Sequence, residues 1–235
     1  MDNLWISALD AADRRLLEPH LSEKVFSQGQ MIYDAGQAVE DVWFPMTGVV
    51  SLMTVLDDDR MIETAAIGRE GLVGVTCGPF NARASSRAIA QLEGAAACCP
   101  AEVFSDALSQ SPAMRNALSR FTESLFAQVQ QTAACNAQHQ LDERLARWLL
   151  TLHDRAEGDR FDLTQSDIAR MLGVRRATVC EVGGELEDKQ LIKRGRGWVQ
   201  VLDRPALEDA ACGCYSLMRG VMKDLGVPRP GLTEH

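Results

Sequence analysis

Residues 163–198 read LTQSDIARMLGVRRATVCEVGGELEDKQLIKRGRGW, and their pattern predicts the fold of the C-terminal part of the chain. Thr164 is a good N-cap, and Asp167 three residues later can complete a capping box. Apolar residues then recur at helical spacing, which predicts a short helix with one buried side. Gly173 ends this helix, because glycine readily takes the left-handed conformation of a tight C-terminal turn.

A second helix and a small hairpin follow this turn. The helix begins at Arg175 or Arg176, and residues 179–186 give it an apolar face. Residues 191–201 predict two short strands around a basic turn at 193–197. Two helices joined by a glycine turn and followed by a hairpin describe a winged helix-turn-helix. Helix pairs with glycine turns are common, so the arginines and the basic wing are what favour nucleic-acid binding over plain packing.

Composition and charge fit a globular protein with one basic region. The chain has 235 residues and a net charge of −9, which by itself opposes nucleic-acid binding. Residues 163–204, however, contain 8 Lys or Arg and 6 Asp or Glu residues, so the one basic window coincides with the predicted helix-turn-helix. Apolar runs stay below the ~20 residues that span a bilayer, and the N-terminus lacks the order of a signal peptide, which predicts a cytoplasmic protein.

The first half of the chain has the pattern of a β-rich domain. From Glu23 onward, short apolar runs alternate with glycines, which is typical of a barrel or sandwich. Residues 49–56 and 61–67 predict a strand pair, with Asp57–Asp59 in the turn between them. We interpret the three aspartates as a solvated turn, because ligands at calcium-loop spacing do not follow.

These stretches together resemble a known family. GQMIYDAG (29–36), VWFPMTGVVSL (42–52) and AIGREGLVG (66–74) are similar to the cyclic-nucleotide-binding-type β-roll of the Crp/Fnr regulators. The helix-turn-helix resembles the other half of that family, in the right order. The resemblance implies an α+β protein with a jelly-roll-like β-roll at 1–110, a long dimerisation helix at 111–139 and a winged helix-turn-helix domain at 140–235.

The resemblance also implies a ligand segment at residues 68–94. Cyclic AMP binders of the family carry a Gly-Glu pair where this chain has Gly74-Val75, and an Arg-Ser pair where it has Ser85-Ser86. Cyclic AMP is therefore not expected, although another cyclic nucleotide would be compatible with the fold. The alternative is that the glycines only shape the turns of the β-roll. The candidate ligand residues are Gly71, Gly74, Val75, Arg83, Ser85, Ser86 and Arg87.

The positions of the cysteines in the sequence argue against a metal cofactor. Iron–sulfur members of the family use cysteines near the N-terminus, whereas the first cysteine here is Cys77, so an iron–sulfur cluster is not expected. Cys212 and Cys214 are too sparse for a zinc site without further ligands, and we predict no metal site. Cys77, in the glycine-rich segment, is the candidate for a reactive thiol.

Residues 112–139 contain neither glycine nor proline after Pro112, which predicts one long helix. Met114, Leu118, Phe121, Leu125, Gln128 and Thr132 form a stripe along it. The resemblance implies that two chains pair along this helix, and the alternative is that the stripe packs on the chain's own β-roll. Another helix follows at 142–155 after a hinge at 138–141, and a final helix is predicted from Pro205 through Leu225.

In a helix-turn-helix the second helix enters the major groove with its N-terminal residues toward the base edges. Arg176 aligns with an arginine that the family uses there, and a guanidinium suits the O6/N7 acceptors of guanine. Glu181 stands where cyclic AMP regulators carry a second arginine, and it can accept from a cytosine amino group. The remaining predicted positions are interpreted as exposed residues of the second helix or as residues that contact phosphate. The predicted DNA-contacting residues are Thr164, Gln165, Arg175, Arg176, Thr178, Glu181, Lys193, Arg194 and Arg196.

The resemblance implies a homodimeric bacterial transcription regulator of a branch that does not use cyclic AMP. It would bind a near-palindromic double-stranded operator, respond to a small ligand in the β-roll and have RNA polymerase as a further partner, without any membrane partner. An enzyme is not expected, because the sequence lacks nucleophile-elbow, zinc-hydrolase and phosphate-loop motifs. The alternative is a ligand-binding or redox-responsive interaction module without specific DNA readout, which salt-dependent duplex binding would distinguish.

Overall fold

The computed structural model describes residues 3–56, 60–75 and 83–228. Cys77 and the Asp57–Asp59 turn, both singled out in the sequence, lie outside these ranges. Within them, every helix is too short or too polar to cross a lipid bilayer.

The N-terminal part is an antiparallel β-roll preceded by short helices. The helices are α1 (Leu4–Ser7) and α2 (Ala11–Leu17), followed by a 3-10 helix (Glu18–His20). The strands are β1 (Ser22–Phe26), β2 (Met31–Tyr33), β3 (Asp41–Pro45), β4 (Val49–Val55), β5 (Met61–Ile67), β6 (Arg87–Leu92) and β7 (Gly94–Pro100). One sheet has the order β1-β7-β3 and the other the order β2-β6-β4-β5.

The predicted strand pair in the first half is confirmed. β4 and β5 pair antiparallel, from Val50 opposite Ile67 to Val55 opposite Met61. Most β4 side chains are buried, because the strand lies between β5 and β6 and both of its faces are covered. A cluster of aromatic rings fills the core between the sheets and the flanking helices: the Phe44 ring lies 5.9 Å from that of Trp5 and 5.7 Å from that of Phe104.

Two helices follow the β-roll: α3 (Ala101–Gln110) and the long α4 (Pro112–Gln138). Ser111 caps α4 by accepting a hydrogen bond from the Met114 amide at 3.0 Å, and Pro112 occupies the first turn. The predicted single long helix is therefore present. Its stripe, however, packs on the chain's own β-roll, as the alternative interpretation held: Phe121 and Leu125 join the β-roll core, and Gln128 accepts a hydrogen bond from the Ala66 amide at 2.7 Å.

The C-terminal part contains α5 (Leu141–His153), β8 (Arg160–Phe161), α6 (Gln165–Leu172), α7 (Arg176–Asp188), β9 (Ile192–Gly195), β10 (Trp198–Val201), α8 (Arg204–Ala210) and α9 (Cys214–Asp224). The wing is a sheet of order β8-β10-β9, and its turn is shorter than predicted because β9 continues to Gly195. The prediction of one final helix is wrong. Ala211 takes an extended conformation with ψ 149°, which ends α8 before the chain turns into α9.

Buried polar contacts fasten the C-terminal domain to the β-roll. Arg155, after α5, donates a hydrogen bond to Glu70 at 2.8 Å, and both side chains are at most 4% exposed. Trp148 of α5 donates from Nε1 to Glu63 of β5 at 2.9 Å, and Ser51 donates to the other oxygen of that carboxylate. Burial raises the pKa of Glu63. The orientation of the two domains is thus held by side chains without free access to water.

Candidate nucleic-acid interface

The first helix of the helix-turn-helix, α6, begins and ends as its sequence predicts. Thr164 Oγ1 accepts from the Asp167 amide at 3.1 Å, and Asp167 accepts from the Thr164 amide at 3.0 Å, which completes the capping box. Gly173 has φ 67° and closes the helix in the left-handed conformation. A Cβ atom at Gly173 would lie 3.1 Å from Ile62 of β5, so this turn also packs closely on the β-roll.

The second helix, α7, has a buried face and an exposed front. Val179 and Leu186 are 2% and 1% exposed, and they pack in the core shared with α5 and α6. The opposite face of α7 is exposed to solvent from the first turn of the helix onward. Its exposed side chains include four that the sequence predicts as DNA contacts, namely Arg175, Arg176, Thr178 and Glu181.

Arg194 ties the wing to α7. Its guanidinium contacts Glu187 Oε2 through Nε at 3.2 Å and Nη2 at 3.1 Å, and donates from Nη1 to the Cys180 carbonyl at 3.0 Å. The Arg194 amide donates to the other Glu187 oxygen at 3.0 Å. The Arg194 amide and guanidinium together hold the pKa of Glu187 below its ordinary value, the amide contact being the larger cause.

The Gly183-Gly184 pair makes room for this arginine. A Cβ at Gly183 would lie 2.5 Å from Arg194 Nη1, and one at Gly184 would lie 3.4 Å from Nη2. The two glycines, which weaken the interior of a helix, therefore serve contact with the wing. All three guanidinium nitrogens of Arg194 are engaged within the domain, so the geometry makes it a positioning residue for the wing, and its predicted contact with phosphate would require these bonds to rearrange.

A groove of about 600 Å³ lies between the start of α6, α7 and the wing. It brings together five of the nine predicted DNA-contacting residues: Thr164, Gln165, Arg176, Arg194 and Arg196. Lys193 and Arg196 are exposed on the wing, whereas Gln165 is half-buried and accepts from the Cys180 thiol at 2.6 Å. Arg160, on strand β8 of the wing, adds a further cation, with its guanidinium carbon 4.4 Å from the centre of the Trp198 ring.

The predicted ligand residues have mainly structural surroundings. A Cβ at Gly71 would lie 2.2 Å from Phe121, and Gly74 has φ 103°, so both positions require glycine for packing or conformation. Arg87 forms a two-pronged ion pair with Asp34, at 2.7 and 2.8 Å, and this contact lowers the pKa of Asp34.

Arg83 donates to the Gly36 carbonyl at 2.7 Å and lines a cavity of about 470 Å³ together with Glu40 and Asp41. Of the other predicted ligand residues, Val75 and Ser86 are half-buried and Ser85 is exposed. The two arginines thus contact the loop after β2, and the acidic lining of this cavity does not favour a phosphate. The predicted ligand site stays a prediction.

A second group of chemically active side chains was missed in the sequence. The sequence showed Cys212 and Cys214 as too sparse for a zinc site without further ligands, and in the structure α4 brings Cys135 and His139 beside them. Burial, and then contact with Cys135, raises the pKa of the Cys212 thiol to about 12. The signals available were the four-residue spacing of Cys135 and His139 on one helix and the Cys-Gly-Cys run, which lie too far apart in sequence to be joined by spacing alone.

Comparison with known proteins agrees with this architecture. Residues 143–210 match the family of Crp-like helix-turn-helix domains. Among solved structures, FixK2 from Bradyrhizobium japonicum is 19% identical, with a TM-score of 0.70 over 82% of this chain and 98% of that one. A CRP-family transcriptional regulator from Thermus thermophilus, TTHB099, is 23% identical, with a TM-score of 0.67 over 80% and 96%.

The c-di-GMP responsive global regulator CLP from Xanthomonas campestris is 17% identical, with a TM-score of 0.65 over 83% of this chain and all of that one. A search of curated proteins finds no match. The predicted α+β fold, with an N-terminal β-roll, a long helix and a C-terminal winged helix-turn-helix, is confirmed.

Proposed function

We propose that this chain, which has the Crp/Fnr fold and a Crp-like helix-turn-helix domain, is a DNA-binding transcription regulator. The observation that carries the proposal is the groove between α6, α7 and the wing, where arginines from two elements line one exposed concave surface. Cationic side chains on such a surface bind the phosphate backbone, and the exposed start of α7 is then presented to the major groove.

Within this site we assign base reading to the front of α7. Arg176 is exposed at the first position of the helix, and its planar fork matches the O6 and N7 acceptors of guanine. Glu181, exposed one and a half turns later, is suited to accept from a cytosine amino group and would repel phosphate. The operator should therefore differ from one read by two arginines.

Register on the DNA is assigned to contacts with phosphate. Thr164 and Gln165 lie at the start of α6, and Lys193 and Arg196 are exposed on the wing. Arg175 and Thr178 flank the reading face. Arg194 acts through the wing, because its guanidinium is held by Glu187 and the Cys180 carbonyl. Contacts with phosphate fix the orientation of the protein on DNA without specifying the base sequence.

We further propose a homodimer formed through the face of α4 that the β-roll leaves uncovered. Phe126 is 63% exposed there, and small residues continue that face at Ala133, Ala134 and Ala137. Two chains related by a two-fold axis would place their α7 helices on half-sites one helical turn apart, which makes the operator near-palindromic. Such a regulator would act in the bacterial cytoplasm, with RNA polymerase as its partner at the promoter and without catalytic activity of its own.

Control by a small ligand in the β-roll is a separate part of the proposal. The three similar structures share the fold, and one of them is named for its response to c-di-GMP. Val75 and Ser85 depart from the cyclic AMP pattern, which argues against that nucleotide here. Thermal shift of the purified protein with a panel of nucleotides tests this part independently of DNA binding.

Operator selection from random duplexes, followed by affinity measurements across salt concentrations, tests the DNA-binding proposal. Arg176→Ala should weaken binding to the selected site by ~1–3 kcal/mol and relax one base position. Lys193→Ala, the matched control on the wing, should weaken binding to all sequences alike and reduce the salt slope by about 1. Failure to select any sequence, with salt-independent binding, would instead indicate an interaction module without DNA readout.

A further inference from the structure

Four potential metal ligands converge where the long helix meets the C-terminal helices. Cys135 and His139 lie one turn apart at the end of α4, Cys212 lies in the connection from α8 to α9, and Cys214 is the first residue of α9. The Cys135 and Cys212 sulfurs are 3.5 Å apart, and the Cys214 sulfur is 3.4 Å from His139 Nδ1. We call these four residues the thiol–imidazole cluster, whose donor atoms all lie within 4.8 Å of one another.

These distances suit one tetrahedral ion. Zinc bonds of about 2.3 Å to sulfur and about 2.0 Å to nitrogen place tetrahedral sulfurs about 3.8 Å apart, and a sulfur and a nitrogen about 3.5 Å apart. Small side-chain adjustments would bring the observed donors to these values. An iron–sulfur cluster inserts several iron and sulfide ions between its ligands, so it needs cysteines that are spread more widely. The compact set therefore favours a single ion.

The chemistry of the donors selects among single ions. Three sulfurs and one imidazole nitrogen form a soft donor set, which excludes Mg²⁺ and Ca²⁺ because those ions prefer oxygen. Four protein ligands also leave no open position, which is the arrangement of a structural zinc site. Cys135 is 0% exposed, Cys212 5% and Cys214 3%, so the ion would be shielded from water.

Residues around the cluster supply an outer hydrogen bond and a counter-charge for a bound zinc ion. Gln131 donates from Nε2 to the Cys214 sulfur at 2.9 Å, the kind of outer contact that orients a thiolate ligand. Arg144 is 8% exposed and lies near Cys135 and Cys212. A zinc ion with three thiolates and a neutral imidazole carries one net negative charge, which this buried cation would balance.

The same arginine reaches the DNA-binding helices. Arg144 Nη2 donates at 2.8 Å to the carbonyl of Leu172, the last residue of α6. The cluster thus joins three parts of the chain: the end of α4, the α8–α9 connection and, through Arg144, the turn of the helix-turn-helix. It also spans the hinge predicted at residues 138–141.

We propose that Cys135, His139, Cys212 and Cys214 bind one Zn²⁺ ion, which fastens the C-terminal helices to the long helix beside the hinge. Binding replaces three S–H protons with three Zn–S bonds and adds one Zn–N bond, so three protons are released to solvent. No oxidant or reductant takes part. The ion thereby fixes the position of the helix-turn-helix relative to the long helix.

The experiment uses the full-length protein purified with a thiol reductant, dialysed against Zn²⁺ and then against buffer, with metal measured by mass spectrometry. The wild type should retain about one Zn²⁺ per chain, and Co²⁺ in its place should give the intense visible bands of tetrahedral thiolate coordination. Cys212→Ser should lower retention at least about tenfold. The control is Cys99→Ala, at a buried cysteine of β7 outside the cluster, which should retain the ion.

His139→Gln provides a second variant, at a half-exposed position where the fold should survive, and circular dichroism verifies this. It too should lose Zn²⁺ retention. Chelation should lower the Tm of the wild type and of Cys99→Ala by several degrees and leave Cys212→Ser unchanged. Equal zinc in the wild type and both cluster variants overturns the proposal, as does iron with inorganic sulfide in the wild type. Because these readouts need no DNA, they stand or fall separately from operator binding.

Discussion

Replacing Glu70 with leucine should loosen the junction between the β-roll and the helix-turn-helix domain. Arg155 Nε donates to Glu70 Oε1 at 2.8 Å, and the two side chains are 4% and 3% exposed. Arg155 Nη1 also donates to the Thr151 carbonyl at 2.9 Å, which keeps the guanidinium in place when its partner is removed. Glu70→Leu therefore leaves the buried guanidinium of Arg155 without its ion-pair partner.

The expected loss is about 3–5 kcal/mol of the free energy of unfolding, the usual cost of removing one partner of a buried ion pair. For a chain of this length each kcal/mol lowers Tm by about 2–4 °C, so a fall of at least about 6 °C is expected. The double variant Glu70→Leu/Arg155→Met should recover most of this loss, because two apolar side chains of similar volume replace the pair.

The assay is urea unfolding and thermal unfolding of the wild type, both single variants and the double variant, followed by circular dichroism. The Gly68 amide, 3.2 Å from Glu70 Oε1, loses its acceptor in Glu70→Leu and in the double variant alike. The cost of that lost hydrogen bond therefore cancels in the double-mutant cycle. The coupling between the two sites should be at least about 2 kcal/mol. If the single losses instead add to the double loss within about 0.5 kcal/mol, the pair does not hold the junction as reasoned.

Three further predictions concern other positions. Burial raises the pKa of Glu63, so the folded state binds the proton of this carboxyl group more tightly than the unfolded state does. The free energy of unfolding should therefore fall as pH rises above the ordinary carboxyl pKa of 4.5. Glu63→Gln should flatten this dependence in unfolding measured from pH 4 to 8. Gly71→Ala would place a methyl group inside the contact distance of a buried ring, and should cost about 1–3 kcal/mol in thermal unfolding, whereas Gly220→Ala, with open space around it, should be neutral or stabilising. Phe126→Glu should convert the proposed dimer to a monomer in analytical ultracentrifugation, while Val25→Glu, at a residue 75% exposed on β1, should leave the association unchanged; an unchanged dimer in Phe126→Glu would place the interface elsewhere.

Short-range signals in the sequence were reliable where the physical cause is local. The capping box at Thr164, the left-handed turn at Gly173 and the strand pair β4–β5 all depend on contacts within a few residues or one hairpin. The same holds for Pro112 at the start of the long helix. Each of these features was predicted because backbone preference and local hydrogen bonding act in the same direction.

The role of a charged side chain was harder to predict. Arg194 has the same basic wing context as Lys193 and Arg196, but Glu187 and the Gly183-Gly184 pair hold it against α7. A sequence pattern gives the charge of an arginine but not the partners that surround it. Likewise, the apolar stripe of α4 has the spacing of a dimer seam, and only its contact with the β-roll identifies the face that it covers.

Sequence patterns alone predicted the β-rich first half, the long helix, the helix-turn-helix with its basic wing and the resemblance to Crp/Fnr regulators, but they merged α8 and α9 into one helix. Which side chains from distant segments meet depends on the tertiary packing. Cys135 and Cys212 are 77 positions apart, and Glu70 and Arg155 are 85 apart, yet each pair is in contact. Periodicity and capping report interactions over a few residues, whereas these pairs depend on how helices dock on a sheet, which the packing of the whole core sets.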